Sequence, residues 1–247
     1  MIQSRQGVWV GAIVLFIITG TVPTRAAVQN EFSDNKKRAP AIVERDRFAE
    51  VPDVRLQTTL GDYTTYFTPT GMILAGFSSQ TRYDKKAPQY FELKILLQNA
   101  MPDVEISTLN PRLSREDFFG GSDPSWLASI PSYAKVKYAN LYPEVDLLFQ
   151  IHQKQLDFRF VIAPGGDPAN IRFQVRGAEK MRLTPEGTLV LNIQDVTFEI
   201  PKPAGYQAMD DSPARSIVRA QYVLAGSNEI GLKLAPYDSR RTLIIAP

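Results

Sequence analysis

The sequence has no cysteine and a single histidine, His152, among its 247 residues. Disulfides are therefore excluded, and so is the lipid-modified cysteine of a bacterial lipoprotein. A zinc site usually needs several His or Cys ligands, and a serine triad needs a histidine beside an exposed nucleophile. His152 lies at the end of a predicted hairpin, so we interpret it as a structural or surface residue. No metal site and no cofactor is predicted.

The sequence also lacks an excess of charge of either sign once its N-terminus is set aside. Arg5 and Arg25 lie in the predicted targeting segment, which leaves 26 of the 28 basic residues against 26 acidic ones. Binding to nucleic acid needs a basic stripe that releases counterions from phosphates. We therefore expect no nucleic-acid partner.

Long amphipathic helices and repeats of fixed period are missing as well, which disfavours helical folds, propellers and solenoids. Short apolar runs with period-two alternation are present instead, separated by Gly, Pro, Asn and Asp turns. This pattern of short strands and turns predicts an all-β fold of antiparallel strands packed as one large β-sandwich or as two. The predicted strands cover residues 54–60, 63–68, 72–77, 91–97, 104–109, 133–138, 145–151, 156–162, 171–175, 181–183, 188–193, 196–200, 217–224, 230–234 and 242–245.

The N-terminus has the pattern of a secretory signal peptide. Arg5 precedes an apolar run over residues 8–18, and Thr24-Arg25-Ala26 precedes Ala27. The run of about a dozen residues is shorter than the roughly 20 that span a bilayer as a helix. We predict a signal peptide at 1–26, a flexible leader at 27–52 and a β-sandwich domain at 53–247. The protein is expected to be exported to the periplasm, the cell surface or the medium, and to contact the membrane only through an uncleaved signal segment.

Five long motifs carry a family resemblance. They are YTTYFTPTG (63–71), DFFGGSDPSW (117–126), IPSYAKVKYANLYPEVD (130–146), LDFRFVIAPGGDP (156–168) and YDSRRTLIIAP (237–247). Residues 54–247 resemble the bacterial domain of unknown function that precedes SBBP (seven-bladed β-propeller type) repeats in large exported proteins. The resemblance implies a module of the cell envelope or surface, and it brings no established activity and no catalytic residues.

Three departures from that family pattern are visible. The segment VERDRFAEVP (43–52) lacks the Asn-x-Gly-Gln motif that usually opens the domain. Arg159 stands where the family usually has an acidic residue. Propeller repeats normally follow the Ile-x-Pro segment, and this sequence ends at Pro247.

An aromatic cluster is the main candidate for binding. Trp126, Tyr133, Tyr138 and Tyr142 lie within 17 positions. Exposed aromatic rings stack on sugars and contribute to protein interfaces, whereas aromatic residues near strand ends also anchor cores through their N–H and O–H groups. For Trp126 and Tyr142 we favour anchoring. Tyr133 shares a strand face with Lys135 and Lys137 and is the better candidate for a surface role.

Carboxylates offer two further hypotheses. Asp146 and Asp157 come from neighbouring predicted strands, and a glycosidase needs two carboxyl groups about 5–10 Å apart. Against a catalytic pair, Asp146 follows a turn where an Asp commonly accepts from backbone N–H groups. Aspartates in Gly- or Pro-containing loops could ligate calcium or cap turns, and none has the spacing of a calcium loop; they are Asp123, Asp167, Asp210 and Asp211.

The sequence therefore predicts a non-enzymatic, exported β-sandwich module with a scaffold or adhesion role, whose partner is a protein or glycan of the cell envelope. A carbohydrate-binding module that uses the exposed aromatic residues is the alternative, and a glycan hydrolase is the third reading.

Overall fold

A computed structural model describes residues 42–44, 54–60, 63–78, 89–112, 132–152, 155–209 and 212–247. The predicted signal peptide, the motif at 117–126 and Trp126 lie outside these ranges. Within them no helix has the length and hydropathy that a membrane-spanning segment needs. The described strands are β1 (Ile42–Glu44), β2 (Leu56–Leu60), β3 (Tyr63–Thr68), β4 (Gly71–Phe77), β5 (Tyr90–Leu97), β6 (Glu105–Arg112), β7 (Ser132–Tyr142), β8 (Val145–His152), β9 (Gln155–Ile162), β10 (Arg172–Arg176), β11 (Lys180–Leu183), β12 (Leu189–Ile193), β13 (Val196–Ile200), β14 (Ala204–Met209), β15 (Ser212–Ala225), β16 (Glu229–Leu234) and β17 (Leu243–Ala246).

Most of these strands belong to one 14-stranded sheet with the order β1-β2-β3-β4-β5-β10-β16-β15-β14-β17-β9-β8-β7-β6. Neighbouring strands run antiparallel, as in the pairs β4–β5, β10–β16 and β8–β9. Strand β1 pairs with both β2 and β7, so the two ends of the order meet. The predicted all-β, antiparallel fold is confirmed.

The two halves of this sheet pack face to face around one apolar core, as in a β-sandwich. The Phe149 ring on β8 lies 5.5 Å from the Phe67 ring on β3 and 5.7 Å from the Tyr138 ring on β7, centroid to centroid. These edge-to-face contacts are the geometry that aromatic pairs prefer. Because β3 and β8 do not pair with each other, the contact between Phe67 and Phe149 joins the two halves across the core.

Strand β15 connects the two halves. Its first part pairs with β14 from Ser212 to Arg219, and its second part pairs with β16 from Ala220 to Ala225. A long strand that changes partner midway is a usual way to turn the corner of a β-sandwich.

A second, three-stranded sheet of order β11-β12-β13 packs on the same core. The Phe198 ring on β13 contacts the Tyr63 and Phe91 rings at centroid distances of 5.9 and 5.7 Å. The small sheet therefore extends the core of the large one and does not enclose a separate core.

The predicted apolar rows are the buried faces of their strands. The row of β8 is 5% exposed or less, and the row of β9 is 7% exposed or less. Both follow the two-residue period of a strand that buries one face. The buried residues of these two rows are Val145, Leu147, Phe149, Ile151, Leu156, Phe158, Phe160 and Ile162.

Three expectations about the elements need correction. The flexible leader predicted at 27–52 contains β1 at Ile42–Glu44. Strand β7 does not end at Tyr138 but continues to Tyr142, with a register shift between the two and positive φ at Asn140. Strand β14, Ala204–Met209, was not predicted at all.

Candidate functional site

The aromatic residues proposed for binding divide into two groups. Tyr138 and Tyr142 are 0% and 1% exposed, so neither ring offers a surface for stacking on a ligand. This corrects the expectation of an aromatic platform for these two residues, and for Tyr142 it agrees with the anchoring interpretation. The backbone of Tyr133 pairs with Pro111 and Ile42, while its side chain, like Trp126, lies outside the described part.

The buried tyrosines tie β7 to the opposite half of the sheet. The Tyr138 hydroxyl lies 3.0 Å from the carbonyl oxygens of both Thr68 and Gly71, at the turn between β3 and β4. The Tyr142 hydroxyl donates to the carbonyl of Arg172, which precedes Phe173 on β10, at 3.1 Å. Burial raises the pKa of Tyr138 far above its usual range and that of Tyr142 to about 12. Both residues are therefore neutral anchors at physiological pH.

This anchoring gives a paired prediction. We expect Tyr138→Phe to lower the free energy of unfolding by about 0.5–1.5 kcal/mol, because it removes the buried hydrogen bond from the Tyr138 hydroxyl to the β3–β4 turn, while the Gly71 carbonyl still accepts from the Thr68 hydroxyl. Tyr222 is the matched control: it is also buried, and its hydroxyl has no hydrogen-bond partner in the described part. Tyr222→Phe should be neutral or stabilising, since it removes an unsatisfied buried group. Urea titration of both variants measures the difference, and equal losses would contradict the anchoring role.

The two carboxylates considered for catalysis lie apart and differ in surroundings. Asp146 accepts from the backbone N–H of Asn140 at 2.9 Å and forms an ion pair with Lys137 at 2.7 Å. On the adjacent strand, Asp157 lies opposite Gln150, four residues along from Asp146. Four residues correspond to about 13 Å between backbone positions, which exceeds the spacing of a glycosidase pair. Asp146 therefore stabilises the β-bulge of β7, the turn role that its sequence position favours.

Three of the family-like motifs lie together at one end of the sandwich. We call this region the loop end; it comprises the β7–β8 turn at 143–144 and the segments 163–170 and 235–242. The N–H of Ala163 donates to the carbonyl of Glu144 at 2.9 Å, and the N–H of Gly165 donates to that of Ser239 at 3.2 Å. A Cβ at Gly166 would lie only 2.8 Å from the Glu144 carbonyl oxygen, so glycine allows this close approach.

At the loop end, the charges of Asp238, Arg240 and Arg241 are paired with one another. Asp238 accepts from the Arg240 guanidinium at 2.9 and 3.0 Å and lies 3.4 Å from Nε of Arg241. The hydrogen bonds from Arg240, with the nearby arginine charges, lower the pKa of Asp238 to about 2. Gln207, 5% exposed, donates to the carbonyls of Asp238 and Arg241 and accepts from the N–H of Asp238. These bonds hold the loop in one conformation.

Of the candidate calcium ligands, only Asp167 lies in the described part of the chain. Asp167 caps the 3-10 helix Pro168–Asn170, where its carboxylate accepts from the N–H of Ala169 at 2.9 Å. Asp123, Asp210 and Asp211 lie outside the described ranges. In the ranges that are described, no group of three His, Cys, Asp or Glu side chains could hold a metal ion. The backbone of His152 pairs with Gln155 at the β8–β9 hairpin end, as expected from the sequence.

An exposed surface on β15 was missed by the sequence reasoning. Ile217 is 80% exposed and lies opposite Tyr206 of β14, while its neighbours Val218 and Ala220 are buried. The Arg215 guanidinium lies over the Tyr206 ring at 5.1 Å, within the range of a cation–π contact. The only signal in the sequence is the adjacent pair Ile217-Val218, because two successive residues of a strand cannot both face the core.

Comparison with known proteins gives a family but no characterised relative. No curated protein matches the chain, and no solved structure matches it. The family model described as Domain of unknown function (DUF7948) matches residues 32–247, which include β1, the loop end and the exposed surface of β15. Since the match covers most of the chain, the protein belongs to the DUF7948 family, an all-β domain of unknown function.

Proposed function

We propose that this protein is an exported, non-enzymatic module of the bacterial cell envelope that acts as a scaffold or adhesion domain by binding a partner. Export is supported by the basic residue, apolar run and small-residue site of the first 26 residues. The resemblance to the domain that precedes SBBP repeats supports an envelope location. We also propose that relatives carry this domain next to such propeller repeats.

The observation that carries the proposal is that the described side chains of the family-like motifs form structural contacts within the domain. Tyr138 and Tyr142 anchor one half of the sandwich to the other, and Asp146 holds a bulge. Asp167 caps a helix, and Asp238 is paired with neighbouring arginines. Residues so engaged build a rigid frame with shaped loops, which is what a binding scaffold requires.

Export is tested with a reporter. Residues 1–40 are fused to alkaline phosphatase without its own signal, an enzyme that needs disulfides and folds only after export. We expect phosphatase activity in intact cells and a mature chain that begins at Ala27. The matched control is Leu15→Arg, because an arginine in the centre of an apolar segment costs about 2.5–3.5 kcal/mol on insertion. Equal activity of the two fusions, or no activity of the native one, would contradict export.

Carbohydrate binding is separated from protein binding by a glycan array, probed with the full chain with and without calcium. Burial of Tyr138 and Tyr142 leaves Trp126 and Tyr133 as the residues on which a sugar platform would depend. Specific binding that is lost in Trp126→Ala or Tyr133→Ala would favour the carbohydrate module. A folded protein that binds no glycan would favour a protein partner.

A further inference from the structure

The exposed surface of β15 includes a strand edge that no described strand covers. Strand β16 pairs with β15 only from Ala220 to Ala225, and a bond from the Ala235 N–H to the Arg219 carbonyl closes that pairing. Residues 215–218 extend beyond this point with β14 on their other edge alone. We call this segment the β15 edge.

The backbone direction at the β15 edge follows from the Arg219 bond. In an antiparallel ladder, the N–H and C=O groups of one residue point to the same side, and those of alternate residues point to the same edge. Since the Arg219 carbonyl points toward β16, the N–H and C=O of Ile217 and Arg215 point to that edge too. There, beyond the end of β16, they can pair with an added strand.

The side chains at this edge are apolar in the centre and positive on either side. Ile217 is the most exposed of the large hydrophobic residues in the described part, at 80%, and Arg215 and Arg219 beside it are also exposed. Described outward positions on β14 and β15 bear no carboxylate; they are Ala204, Tyr206, Ala208, Arg215, Ile217, Arg219, Gln221 and Val223.

A second copy of the chain fits this edge poorly. Symmetric antiparallel pairing centred on Ile217 would place Arg215 of one copy opposite Arg219 of the other, twice. Like charges directly opposite one another across a ladder are destabilising. The arginines therefore disfavour self-association, as charged side chains on edge strands commonly do, while leaving the edge open to a strand of opposite charge.

We propose that the β15 edge binds an extended segment of a partner protein by strand addition, and that this segment has the pattern acidic-x-apolar-x-acidic. An apolar residue opposite Ile217 places the acidic residues opposite Arg215 and Arg219, so both cross-strand charge pairs are favourable. Main-chain bonds supply affinity and the alternate side chains supply specificity, as in other β-augmentation complexes. The inference rests on the proposed interaction role and names the partner's chemistry.

The test uses fluorescein-labelled Thr-Glu-Thr-Val-Thr-Glu-Thr and the full chain, with binding followed by fluorescence anisotropy. We expect saturable binding that weakens at least about tenfold in Arg215→Glu/Arg219→Glu, where attraction becomes repulsion. The matched control is Lys180→Glu/Arg182→Glu on β11, which reverses the same total charge on two exposed residues of another strand. It should leave peptide affinity within about twofold, since β11 is not the docking strand.

Strand addition is distinguished from charge attraction by peptides that are N-methylated at alternate residues. Only one edge of the peptide faces the protein, so one methylated set should abolish binding and the other should not. A peptide with Lys in place of Glu should not bind. The inference is overturned if no peptide binds at millimolar concentration, if both charge reversals weaken binding equally, or if neither methylated set has an effect. The export reporter is measured in cells and peptide binding on purified protein. A failed peptide assay would therefore overturn strand addition without contradicting export.

Discussion

Phe160→Ala is expected to lower the free energy of unfolding by about 3–5 kcal/mol, the usual cost of truncating a buried phenylalanine. Phe160 is 2% exposed and belongs to the main core, opposite Leu147 on β8 and Ile245 on β17. Its ring also meets the Phe158 ring at 5.8 Å. Alanine would leave a cavity in the middle of the half-sandwich, where the neighbouring strands are fixed by their ladders and can collapse only partly.

The matched control for this substitution is the next residue, Val161→Ala. Val161 is half-buried and faces outward beside Asp146 and Ile244. Both substitutions remove a good strand former from β9, so their difference reports burial. We expect a loss of about 1 kcal/mol or less for Val161→Ala, read from the midpoint of urea unfolding at constant slope. A loss below about 1 kcal/mol for Phe160→Ala, or equal losses, would mean that the strand phase is reversed.

The strand phases could be predicted because large apolar residues alternate over whole strands. On β8 and β9 every second residue is a large aliphatic or aromatic one. Because side chains alternate between the two faces of a strand, this pattern determines which residues face the core. The same alternation placed Tyr138 in phase with Val136, which is also 0% exposed. The sequence pattern therefore argued for burial of Tyr138 more strongly than for a binding platform.

Elements held by distant contacts could not be predicted in this way. Strand β14 consists largely of weak strand formers and follows Pro201 and Pro203. It is held by β15 and β17 on its two edges and by Gln207, whose amide bonds to the Asp238 region 31 positions away. Strand β1 is only three residues long and depends on β2 and β7. In both cases tertiary pairing outweighs a weak local preference.

The β15 edge, a candidate site, could not be predicted for the same reason: it depends on contacts between residues distant in the sequence. The apolar pattern predicts a strand at 217–224, but whether its edge at Ile217 is free depends on where β16 ends. That end is set by the bond from Ala235 to Arg219, between residues 16 positions apart. A free edge is a property of strand order, which alternation within one strand does not contain.

The second large effect is expected at Gly177, the residue after β10. Its φ is +94°, and a Cβ there would overlap the carbonyl oxygen of Glu92 on β5. Gly177→Ala therefore combines an unfavourable backbone conformation with overlap against a strand that cannot move freely. We expect it to lower the free energy of unfolding by about 3 kcal/mol or more.

Gly226→Ala is the matched control, because its φ is +71° and nothing lies within 4 Å of the added Cβ. It carries the conformational cost alone, about 1–2 kcal/mol. Thermal unfolding measures the loss of stability in both variants. Equal losses would mean that Gly177 is required only for its backbone conformation. Close packing of the β10–β11 connection on β5 would then not be the reason for glycine at this position.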